Sequence, residues 1–196
     1  MKRLLAIWMP VALLGTVWTV NGCDQHRSND AQRTENAADV LAVEPQPGET
    51  IVAVCRLEEI GSSGVTGTIR FTQDGDSVTV EGEVSGLEPG KHGFHVHQEG
   101  DLSDKETGKS AGGHFNPTRQ EHGRPGERQR HIGDLGNIQV NDDGVAEVNM
   151  TDDVISLSGE HSIVGKALVI HAKEDKFTQP SGDAGDRVAF GLIEKE

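Results

Sequence analysis

From Ile51 onward apolar residues recur at alternate positions, and a chain patterned in that way folds by laying down strands with one face toward a core. "VTGTIRFT" sets Val65, Gly67, Ile69 and Phe71 against Thr66, Thr68, Arg70 and Thr72, and "SVTVEGEV" repeats the pattern with Val78, Val80, Gly82 and Val84. Asp74-Gly75 between them is a hairpin signal. "IVAVCRL", "KHGFHVHQ", "NIQV", "VAEVNM", "KALVIH" and "RVAFGLI" complete the set. No competing helical period is sustained, so the expected fold is all-β, an antiparallel sandwich or barrel of about eight short strands.

The chain ahead of this region differs in kind. Lys2 and Arg3 followed by an apolar run from Leu4 to Val20 read as an export signal over residues 1–22. Cys23, after a small residue, resembles the lipidation site of bacterial lipoproteins. Residues 24–49 hold few large apolar groups and read as a flexible tether, with His26 solvated within it. The folded domain is therefore expected over residues 50–196, in an extracytoplasmic compartment, periplasmic or cell-envelope, held to the membrane only through a lipid on Cys23. The net charge of −14, carried by 32 acidic against 18 basic residues, excludes nucleic acid as a partner. With only Cys23 and Cys55 in the chain, lipidation of the first leaves no internal disulfide. Cys55, alternating with Ala53 and Leu57, is expected to be a small buried hydrophobe.

Between Gln98 and Leu135 the strand pattern disappears, and a loop of that length in a compact domain needs something to hold it. It carries His114, His122 and His131, with Asp134 three residues after the last; three imidazoles and a carboxylate make an ordinary tetrahedral zinc set. Metal binding can fix a segment without a core of its own. In "KHGFHVHQ" strand alternation points His95 and His97 the same way, about 6.6 Å apart along the strand, a spacing that suits two ring nitrogens converging on one ion. His171 ends "KALVIH" on the side opposite Leu168 and Ile170, taken as the more open face.

"GFHVHQEGD", "AGGHFNP", "RHIGDLGN", "VISLSGEHSIVGKALVIHAKED" and "GDAGDRVAFGLI" together resemble copper/zinc superoxide dismutase, in order and spacing, over residues 51–193. The resemblance implies a Greek-key barrel with long metal-binding loops. It implies copper held by His95, His97, His114 and His171, and zinc held by His114, His122, His131 and Asp134, with His114 shared. It makes Asp175 the carboxylate joining His95 to His122, Arg187 the substrate-guiding cation beside copper, and Lys173 and Lys176 its helpers. His92 is implied to be structural, and His161 exposed and without a metal role. The implied reaction is dismutation of superoxide by a redox-cycling copper, with His114 delivering a proton. Homodimerisation is left open, since Arg56 and Lys195 fall where eukaryotic relatives are apolar.

One departure from the family stands out. Its members tie the long loop to the barrel with a disulfide, and here Phe190 occupies one cysteine position while the early loop offers no partner. The expectation is that Phe190 packs on Leu102 or a neighbouring apolar group, burial that contributes about 1.5 to 3 kcal/mol. Two other functions fit the fold: a protein that only holds copper or zinc, and a metal-free structural module. All seven ligand positions and Arg187 argue against both.

Overall fold

The computed structural model describes residues 50–196; the leader, Cys23, the tether and His26 lie outside the described residues. Eight strands form the domain, β1 (Ile51–Glu59), β2 (Thr66–Asp74), β3 (Ser77–Ser85), β4 (Gly90–His97), β5 (Asp134–Val140), β6 (Val145–Asp152), β7 (Ala167–His171) and β8 (Arg187–Lys195). They make one antiparallel sheet in the order β5-β4-β7-β8-β1-β2-β3-β6. The edge strands β5 and β6 approach each other, which curls the sheet into a nearly closed Greek-key barrel. Among the described residues, no helix is long and apolar enough to cross a membrane.

Where one face of the sheet meets water the alternation is clean. Ile69 and Phe71 of β2 and Val78, Val80 and Val84 of β3 are buried, while Thr66, Thr68, Arg70, Glu81 and Glu83 are exposed. These side chains join Phe94, Val96, Leu168, Ile170 and Ile193 in the barrel interior. Cys55 lies there too, fully buried, and burial pushes its thiol pKa up to about 12.

On the other side of the barrel the alternation fails. Every residue of β7 is buried, His171 included, so the face taken as open is covered. The cover is the long loop. Ile60, Ala111, Ala167, Val169 and Phe190 form a second apolar cluster outside the sheet, with Leu102 packed against it. Phe190 is fully buried at the position where it was expected to meet Leu102.

The loop from 98 to 133 contains a single helical turn, Lys109–Ala111, yet it has supports that need no metal. Phe115 and Ile132 reach into the main core. Val96 donates to the Gly133 carbonyl, Gly133 to that of Phe115, and Phe115 back to that of Val96, at 2.8, 2.9 and 2.8 Å. Arg130 is 1% exposed and pairs with Asp152 at the end of β6. Its other terminal nitrogen donates to the carbonyls of His131, Ile132 and Asp134 at 3.1, 3.2 and 2.8 Å. The loop thus brings its own core and its own buried ion pair.

Candidate metal centre

Strand β4 delivers His95 and His97, and its register against β5 shifts between Gly93 and His95. Strand β7 shifts likewise against β8 between Ile170 and His171. Bulges of this kind re-aim side chains, and here both fall beside the histidines. Asp134 is the first residue of β5, paired with His95, rather than part of the patternless stretch expected between Gln98 and Leu135. His114 reaches the same place by a bridge to His97 at the end of β4.

Two four-membered groups of donor atoms result, and His95, His122 and Asp175 make a third, smaller one. In each of the first two, one atom from every member lies within 4.8 Å of the others: His95, His97, His114 and His171 in one, His114, His122, His131 and Asp134 in the other. His114 Nδ1 lies 2.8 Å from Asp134 Oδ1 and 3.4 Å from His131 Nδ1, which leaves its Nε2 for the first group. His171 Nε2 and His97 Nε2 stand 3.4 Å apart.

The ring nitrogens turned away from these groups are tied down. His97 Nδ1 faces the Gly112 carbonyl at 2.9 Å, and His171 Nδ1 faces that of Gly185 at 3.1 Å. Asp175, fully buried, accepts from His95 Nε2 at 2.9 Å and from His122 Nε2 at 3.0 Å, so one carboxylate joins the two groups. Gly182, at φ 82°, lies against this carboxylate so closely that a Cβ there would come within 1.9 Å of Asp175 Oδ1. Backbone N–H and C=O of His122 are both bonded by the Gln179 amide, at 3.0 and 2.8 Å.

Fit to a metal can be judged from the groups left over. His95 Nδ1 and His122 Nδ1 are buried and without a hydrogen-bond partner. The second stands 2.9 Å from Asp134 Oδ2 but not in hydrogen-bonding alignment. Buried polar atoms without a partner are rare, and a cation bound among these converging ring nitrogens and the Asp134 carboxylate would satisfy them.

Electrostatics agree with neutral rings at His97, His114 and His171. Burial, reinforced by the neighbouring histidines, lowers the pKa of His114 to about 4 and of His171 to about 3, and holds His97 well below its ordinary value. At His122 burial works the same way, but the Asp134 and Asp175 carboxylates outweigh it and raise the pKa to about 9. Although burial opposes it, contact with His114, His122 and His131 keeps Asp134 far below the usual carboxylate range, and His122 and His95 do the same for Asp175.

The metal-free domain should therefore be most stable near pH 6.5. His114 and His171, neutral when folded, weaken the fold as pH falls from about 6.5 toward 3, where the unfolded rings take up protons first. His122 contributes stability that is complete below about 6.5 and lost as pH rises through about 9. Unfolding midpoints of chelated protein across pH 4–9 check this, and a midpoint that climbs steadily to pH 9 would contradict it.

Arg187, half-buried at the start of β8, lines a cleft of about 390 Å³ together with His97, His114 and His171. Its guanidinium donates to the carbonyls of Gly108 and Gly112. The sequence profile of the copper/zinc superoxide dismutase family matches residues 65–193. The chain belongs to that family. Copper and zinc as cofactors, superoxide as substrate and dismutation as the reaction follow from membership, and the two donor groups fit such metals.

Several details differ from expectation or were not foreseen. Lys176 Nζ lies 3.3 Å from Asp183 Oδ2, and Asp183 itself lines the cleft, so the lysine's charge is answered locally. The Lys173 stem lies along Gly185. His161 is half-buried rather than exposed, beside Gln73 and Arg128 in a separate depression. His92 belongs to neither group; its ring spans the carbonyls of His171 and Glu88, each at 2.9 Å. Arg130, Asp152 and Gln179 escaped the sequence reading, because an arginine in "GERQRHIGD" and a glutamine beside a proline look solvated.

Proposed function

We propose that this protein dismutates superoxide outside the cytoplasm at a centre in which His95, His97, His114 and His171 hold copper while His114, His122, His131 and Asp134 hold zinc. The observation that carries this reading is the position of His114, whose two ring nitrogens face different donor groups. When bound, copper supplies one-electron chemistry between Cu(II) and Cu(I), and zinc supplies positive charge without redox. One superoxide is oxidised to oxygen; the second is reduced and, with two protons, becomes hydrogen peroxide.

The chain's own residues do the rest. Gly112 and Gly185 carbonyls fix the tautomers of His97 and His171, directing Nε2 lone pairs inward. Asp175 orients His95 and His122 in the same manner. His114 Nε2 is the atom at which the protein holds and releases a proton during turnover. Arg187 binds the anion at the cleft, a local positive charge within a strongly acidic protein. Export through residues 1–22, a lipid on Cys23 and a tether to residue 49 complete the proposal, with the domain acting at a membrane surface as a monomer or homodimer.

Copper and zinc loading of about one ion each per chain and dismutation far above that of free copper are the expected results. Arg187→Ala should lower the rate by about tenfold or more, with the dependence on ionic strength flattened. Metal binding without dismutation, with Arg187→Ala silent, would mark a metal-holding protein instead. Both tryptophans, Trp8 and Trp18, lie in the leader and the chain has no tyrosine. Processed protein should thus show almost no aromatic absorbance at 280 nm, and strong absorbance would show that the leader is retained.

A further inference from the structure

The guanidinium of Arg187 is aimed by the loop rather than by its own strand. Both carbonyls that accept from it, Gly108 and Gly112, belong to the covering loop, and the Gly112 carbonyl also accepts from His97 Nδ1. One short piece of backbone therefore sets the arginine and one copper-group histidine together. What holds that backbone becomes a question about the site.

Two supports converge on it. From below, Phe190 and Ile60 fill the space under Gly108, where a Cβ would come within 2.6 Å of Ile60 Cδ1, 3.2 Å of Phe190 Cδ1 and 3.3 Å of Arg187 Cδ. Ala111, the residue before Gly112, is packed in the same cluster as Phe190. At φ 66° Gly108 takes a backbone conformation that favours glycine, and its carbonyl is presented to Arg187. From the solvent side, Asp104 accepts from the backbone N–H groups of Glu106, Thr107 and Lys109 at 3.2, 3.0 and 3.1 Å, shaping the turn that leads into Gly108. Lys105 adds its ammonium 5.1 Å above the Phe190 ring.

We infer that Phe190 is a positioning residue for Arg187, acting through the Gly108 and Gly112 carbonyls as a non-covalent clamp that needs no thiol. The inference rests on the reading of Arg187 as the group that binds the substrate anion. A displacement of about 1 Å at such a group can cost up to about a hundredfold in rate, so an apolar side chain that belongs to neither donor group can govern turnover.

The test uses the full chain loaded with copper and zinc, with azide as the anionic probe of the copper site. Phe190→Ala should lower kcat/KM and azide affinity by about tenfold each while copper and zinc content stay at the parent level. Phe190→Leu should stay within about twofold. In an Arg187→Ala background Phe190→Ala should subtract nothing further, because both act through one group. In metal-free protein, the Gly108 and Gly112 amides should exchange faster in Phe190→Ala. Should Phe190→Ala not fold, Asp104→Ala, on the exposed side of the turn, is expected to give the same paired loss.

Parent-like rate and azide affinity in these variants, alongside losses in Arg187→Ala, would overturn the clamp. So would losses that add in the double variant. If Arg187→Ala alone leaves rate and azide affinity unchanged, the guiding role of the arginine fails; unchanged exchange at Gly108 and Gly112 in Phe190→Ala would show separately that the clamp fails too.

Discussion

Asp152→Ala is expected to destabilise the metal-free domain by about 3–5 kcal/mol, the cost of leaving a buried charge without its partner. Arg130 and Asp152 have side chains 0% and 3% exposed, and the freed guanidinium could find no water. Asp152 also accepts from the N–H groups of Val154 and Ile155 at 2.8 and 3.0 Å, so the turn after β6 loosens as well. The effect should extend to the metal centre, because Arg130 holds the carbonyls of His131 and Asp134. Zinc affinity should fall by about 10- to 100-fold, as when other supporting partners of a ligand are lost. Denaturant unfolding with and without zinc measures both terms. A loss below about 1 kcal/mol would mean that water reaches Arg130 and that the pair is not sealed.

His114→Ala should have the largest effect on activity, since it removes one donor from each group at once. Dismutation should drop to the level of free copper. Zinc affinity should fall further than in Asp175→Asn, which keeps every donor and removes only the carboxylate that orients His95 and His122. A His114→Ala protein that still turns over superoxide well above free copper would refute the shared ring. The fold itself should survive, because Phe115, Ile132 and the Val96, Phe115 and Gly133 backbone bonds hold the loop independently.

How far the sequence revealed this arrangement depended on how many faces of each strand are covered. Strands β2 and β3 bury one face, so Ile69, Phe71, Val78 and Val80 announce themselves by their period. Strands β4 and β7 are covered on both sides near the donor groups, and their alternation carries no information about which side is open; hence His171 is buried where an open face was expected. The histidines and Asp134 were visible as residue types, and family resemblance sorted them into two sets. Nothing local separates Arg130 from Arg124 and Arg128, yet the first is buried and the other two are exposed. Its burial depends on Asp152, 22 residues away, a pairing that only the folded chain defines.

An enzyme that releases hydrogen peroxide lives beside its own oxidant. Attack on cysteine requires the thiolate, and Cys55, the only thiol among the described residues, lies sealed between strands with its proton held up to about pH 12. The described domain thus offers its product no reactive sulfhydryl, and prolonged turnover should leave the mass of that residue unaltered.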